Sequence, residues 1–114
     1  PYIQYAHARA CSILEKAGDF TECFELETEQ EIALAKQIAR FPGIIDRVVT
    51  ELRPNLLAIY ARELADTFNS FYHFEQVLKS EGKVRDRRLT LVKAVQNTLQ
   101  EALETLGIDA IRSM

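Results

Sequence analysis

Tyr2, Tyr5 and Arg9 stand three and four residues apart in the opening segment PYIQYAHARACSIL. In a helix that spacing puts them on one face. A tyrosine offers a flat apolar ring with a hydroxyl, and an arginine offers a planar fork of donors. Together they can stack unpaired bases and hold phosphate. Spacing alone leaves a plainer alternative open, in which one tyrosine belongs to the core and the other is merely amphipathic. A second basic group, Lys83, Arg85, Arg87 and Arg88, gathers around the expected start of the last helix. Cations there oppose the positive end of the helix dipole, so the group suits either a solvated helix start or an anionic partner.

No catalytic arrangement accompanies these residues. His7 and His73 are the only histidines, four glycines are too few for a phosphate loop, and no HExxH or GxSxG run occurs. The chain is therefore not expected to be an enzyme by itself. Cys11 and Cys23 lie outside any CxxC or histidine pairing that would build a metal or redox site, and they read as free, buried thiols. A net charge of -3 argues against a general nucleic-acid coat. That average hides an uneven map: residues 15–31 are acidic (Glu15, Asp19, Glu22, Glu25, Glu27, Glu29, Glu31), and residues 79–93 are basic. No apolar run approaches the ~18 residues of a membrane span, and no signal-peptide pattern appears, so a cytoplasmic location is expected. Pro1 stands where an initiator methionine would, which suggests a domain of a longer protein.

The elements that must carry these side chains are helical throughout. Apolar residues recur at three and four positions, alternation of period two is sustained nowhere, and the expected class is an all-α single domain, a bundle of about five helices. A first helix is expected over 3–17, stopped by Gly18, followed by irregular chain over 20–27. Thr28 with Glu31 reads as a capping box. The next helix should end at FPG (41–43), with a short helix over 44–52 after it. Pro54 should open a long helix whose stripe Leu57, Tyr60, Leu64, Phe68 and Phe71 forms the centre of the core. In FNSFYH (68–73), Tyr72 and His73 are left at the helix end. The chain should bend around Gly82, and a last helix from about Arg85 should present Leu89, Val92, Leu99, Leu103 and Leu106 before Gly107 ends it.

YIQYAHAR (2–9), FNSFYH (68–73), RLTLVKAVQNTLQEALETLGI (88–108) and the final Met114 together resemble the anticodon-binding domain of arginyl-tRNA synthetases, the helical DALR domain. The likeness is ordered, runs over nearly the whole chain, and is most specific in its first and last segments; over 18–55 it is a likeness of helical pattern only. It implies a C-terminal piece, residues 1–114, of a class I enzyme that joins arginine to its tRNA using ATP. The HIGH-like and KMSK-like motifs of the catalytic domain are not in this sequence, so ATP would belong to that other domain and this one would hold no cofactor or metal. The implied partners are tRNA(Arg) and the catalytic domain of the same polypeptide. By residue match, Tyr2, Tyr5, Arg9 and Met114 would lie around the splayed anticodon bases in a groove between the first helix and the tail. Lys83, Arg85, Arg87 and Arg88 are candidates for contact with the tRNA backbone. Gln4 and His7 match as well, but point elsewhere along the helix and read as structural. Where some members place an aromatic near 76, this chain has Gln76, and DAIRSM replaces the common ending of proline followed by Glu-Arg-Met. Competing readings are a helical protein-interaction module and the comparable helical domain of a glycyl or cysteinyl synthetase, against both of which the opening YIQYAHAR weighs.

Overall fold

The three-to-four periodicity becomes α1 (Tyr2–Ala17), α2 (Glu29–Ala39), α3 (Phe41–Glu51), α4 (Asn55–Phe74) and α5 (Gly82–Thr105) in a computed structural model that describes residues 1–113, with Phe74 described through its backbone alone. No strand occurs among the described residues. The capping box at the head of α2 is complete: the Glu31 amide donates to Thr28 Oγ1 at 3.1 Å, and the Thr28 amide donates back to Glu31 Oε1 at 3.2 Å.

Two boundaries depart from expectation. Only Arg40 separates α2 from α3, and FPG forms the first turn of α3 rather than a break before it. A proline in a first turn lacks only an amide that would be unpaired anyway, so Pro42 ends one helix by starting the next. At the other end, α5 begins at Gly82, three residues before the expected start, which moves Arg85, Arg87 and Arg88 beyond the first unpaired amides.

The predicted stripe of α4 is the centre of the core: Leu57, Tyr60, Leu64, Phe68 and Phe71 are all buried, joined by Ala6, Ala10 and Ile13 of α1, Leu34 of α2 and Leu89, Val92 and Leu99 of α5. Burial pushes the Tyr60 hydroxyl up to about 12. It donates to the Gln37 carbonyl at 2.7 Å, satisfying a polar atom in the core and fastening the end of α2 to α4. Packed so, α1 lies against α4 and α5, and α3 against α4 and α2. The α3–α4 corner turns at Leu52 (φ 52°), and α5 ends in a glycine cap. There the Gly107 amide donates to the Glu104 carbonyl at 3.0 Å and the Ile108 amide to the Leu103 carbonyl at 2.8 Å. Gly107 needs its positive φ of 76° for this turn, which sends the tail back toward α1.

Candidate nucleic-acid interface

Tyr2 and Arg9 lie where α1 crosses α4, and the α4 side of that contact is a polar edge beside the core stripe. The Tyr2 hydroxyl donates to Asp66 Oδ1 at 2.6 Å and accepts from Asn69 Nδ2 at 2.9 Å. The other end of the same amide, Asn69 Oδ1, accepts from Arg9 Nη1 at 2.9 Å. One asparagine thus sets both side chains. Guanidinium groups cover two of the rings: Arg62 lies 4.2 Å from the Tyr2 ring centre, and Arg9 lies 4.7 Å from that of Tyr72. The result is a row, Arg62, Tyr2, Asn69, Arg9 and Tyr72, of planar groups held in place before any ligand arrives.

Tyr5 is different. It is 54% exposed, against 36% for Tyr2, and its hydroxyl has no hydrogen-bond partner among the described residues. With the Tyr2 hydroxyl already donating and accepting, Tyr5, like the exposed Tyr72, has a hydroxyl left to donate.

The tail starts near Tyr2, where Ile108 lines one hollow with Tyr2, Gln4 and Arg62. It docks on the side of Gln4 and His7, and Tyr5 falls between the two sets on the helix circumference. Of the four residues expected to converge, Tyr2 and Arg9 are set against α4 and Tyr5 is exposed beside them, while Gln4 and His7 hold residues 109–111 of the tail. Met114 itself lies outside the described residues. Gln76 is exposed beyond the end of α4, and its carbonyl accepts from Arg88 Nη1 at 3.0 Å.

The basic group at 83–88 is largely turned inward. Arg87, its side chain 7% exposed, donates through Nε to both oxygens of the fully buried Glu31 at 2.9 Å. Arg88 reaches Glu31 at 3.4 Å and Glu75 at 2.7 Å. Arg85 donates to the Ala17 carbonyl at 2.6 Å and the Asp19 carbonyl at 3.3 Å. The anion that this group calls for is within the chain, since the acidic stretch before α2 folds against the start of α5. Phosphate contact by Arg87 or Arg88 would require breaking these buried pairs. Lys83 alone of the four stands in water, 3.6 Å from Glu25. Burial pushes the Glu31 carboxyl up, but the amides of Glu27 and Thr28 and the Arg87 guanidinium outweigh it and hold it below the ordinary glutamate range.

Sequence reasoning missed Arg62, Asp66 and Asn69. The signal was present: they recur at four and three positions along α4, a polar stripe next to the apolar one. Cys11 is buried and Cys23 half-buried, both unpaired. Among the described residues, no helix is long and apolar enough to cross a membrane, and no group of three or more His, Cys, Asp or Glu could hold a metal.

Residues 3–114 match the family model of the DALR anticodon binding domain. Over its full length the chain is 81% identical to the arginine–tRNA ligase of Methanoregula boonei and 76% identical to that of Methanospirillum hungatei, spanning 20% of each. It superposes on Thermus thermophilus arginyl-tRNA synthetase with a TM-score of 0.94 at 38% identity, covering 100% of this chain and 21% of that one. A Campylobacter jejuni structure titled as a putative arginyl-tRNA synthetase shares the fold, with a TM-score of 0.89 at 23% identity over 99% of this chain and 26% of that one. The chain thus spans about a fifth of the curated relatives it matches. With an all-helical fold and a family match over nearly its whole length, the chain belongs to the DALR anticodon binding domain family.

Proposed function

We propose that the chain binds the anticodon loop of tRNA(Arg) as the C-terminal domain of an arginine–tRNA ligase. The ligase would join arginine to that tRNA with ATP held in its catalytic domain, outside this chain, and would act in the cytoplasm. The observation that carries the reading is the pairing of an exposed Tyr5 with the fixed row of rings and guanidinium groups between α1 and α4. Unstacked bases are read by such surfaces, through ring faces and a few donors rather than through a large positive field, so a net charge of -3 is no obstacle. In this reading Tyr2 offers its remaining ring face, Tyr5 its ring and hydroxyl, and Arg9 its free donors, while Met114 completes the site by sequence match. Lys83 would add long-range steering of the stem.

Because the row is already held by hydrogen bonds, little ordering is required on binding, and one stacked base contributes ~1–3 kcal/mol. In the full-length ligase, replacing Tyr2 and Tyr5 together by alanine should raise the KM for tRNA(Arg) while the helical circular dichroism stays the same. Unchanged kinetics, with anticodon variants still discriminated, would sink the assignment.

A further inference from the structure

Gln4 and His7 belong to the same opening segment as Tyr2, Tyr5 and Arg9, yet the proposed base contacts do not use them. Their own contacts are to the tail. Gln4 Nε2 donates to the Asp109 carbonyl at 3.1 Å, and His7 Nδ1 lies 2.8 Å from the Ile111 carbonyl. A carbonyl only accepts, so Nδ1 carries the proton and Nε2 of the neutral ring is left as an acceptor. Gln96 Nε2 of α5 supplies the matching donor at 3.3 Å, its other hydrogen goes to Gln100 Oε1 at 2.7 Å, and Lys93 donates to Gln96 Oε1 at 3.3 Å. His7 is 1% exposed, in a place where an apolar residue would cost no desolvation. Its two ring nitrogens instead tie α5 on one side to the tail on the other.

The tail over 108–111 has no helix or strand of its own, and the cap at Gly107 has turned it back from α5. We propose that Gln4 and His7 are positioning residues: they hold residues 109–111 along α1 and so set the course of the tail relative to the exposed Tyr5 of the RNA site. This rests on the RNA reading above. YIQYAHAR then carries two interleaved sets: Tyr2 and Arg9 against α4 with Tyr5 exposed next to them, and Gln4 and His7 toward the tail.

The test uses the full-length ligase with tRNA(Arg) transcript. Gln4→Ala removes one clamp on a partly exposed side chain. His7→Asn removes more volume than His7→Gln, and the two differ in reach: an asparagine amide can stand in for Nδ1 and keep the bond to Ile111, whereas a glutamine amide can stand in for Nε2 and keep only the Gln96 side. Expected are faster amide exchange over 109–113 and a KM for tRNA raised about three- to tenfold at unchanged kcat in Gln4→Ala and His7→Gln. His7→Asn should stay close to the parent. Protection of 109–113 that survives in Gln4→Ala and His7→Gln overturns the proposal, and so does a freed tail with unchanged KM. Tyr5→Ala, run in parallel, separates the two levels. If it raises KM while the clamp variants do not, the clamp alone is wrong; if it too leaves KM unchanged, the RNA reading falls and the clamp proposal with it.

Discussion

The α1–α4 face and the α2–α5 junction both set arginines beside carboxylates, and they use them in opposite ways. At the junction, Glu31 is fully buried and draws Arg87 and Arg88 inward, so the charges are consumed by the fold. On the α1–α4 face, Arg62 remains largely in water 3.6 Å from an exposed Asp66, and both Arg62 and Arg9 stand over tyrosine rings. A buried pair is costly to break and offers nothing to a ligand. An exposed pair is weak, and its parts stay available. Arginine count therefore says little about which guanidinium groups are open to a ligand; the depth of the counter-charge decides that.

That contrast can be broken at its strongest point first. Glu31→Ala should destabilise the domain by about 3–5 kcal/mol in urea unfolding, because two guanidinium groups lose a buried partner and the helix loses its capping box. The same carboxylate makes stability pH-dependent. Its folded value lies below the ordinary 4.5, so its contribution is fully present above about pH 4.5 and is lost as pH falls through the lower folded value. Glu31→Ala should flatten the unfolding midpoint across that acid window. Tyr5→Ala, on the open face, should do the reverse: about 1–3 kcal/mol lost from tRNA binding, read from KM, with the unfolding midpoint almost unmoved. An unfolding midpoint that drops as for Glu31→Ala would erase the distinction. Asn69→Ala falls between, costing about 1 kcal/mol of stability and weakening tRNA binding less than Tyr5→Ala, since it frees Tyr2 and Arg9 without removing them. The smallest effect is that of Lys83→Ala, expected to leave the unfolding midpoint unchanged and to reduce only the salt dependence of tRNA binding.

Much of the fold was legible because it rests on local rules. The α4 stripe, the Thr28–Glu31 box and the Gly107 stop each follow from residues within one or two turns of each other. The proposed RNA face was legible only in part, since the spacing of Tyr2, Tyr5 and Arg9 gives a shared face but not what covers it. Asn69 stands sixty residues from Arg9, and no periodicity of α1 points to it. The pairing of Arg87 and Arg88 was hidden for the same reason: their shared partner Glu31 lies more than fifty residues away, so in one dimension the run at 83–88 reads as unpaired. The FPG boundary was a matter of local ambiguity, because a proline marks the end of one helix and the first turn of another equally well.

Leu52 has one more consequence. It is a branched side chain, 85% exposed, held at φ 52° in the left-handed region that glycine enters freely. Its helix packs on α4 and α2, so the corner stores conformational strain of roughly 1 kcal/mol that no contact on the α1 face requires. The domain thus holds an untapped reserve: relieving that corner with glycine or asparagine would raise its tolerance to otherwise damaging substitutions elsewhere, including those on the α1 face.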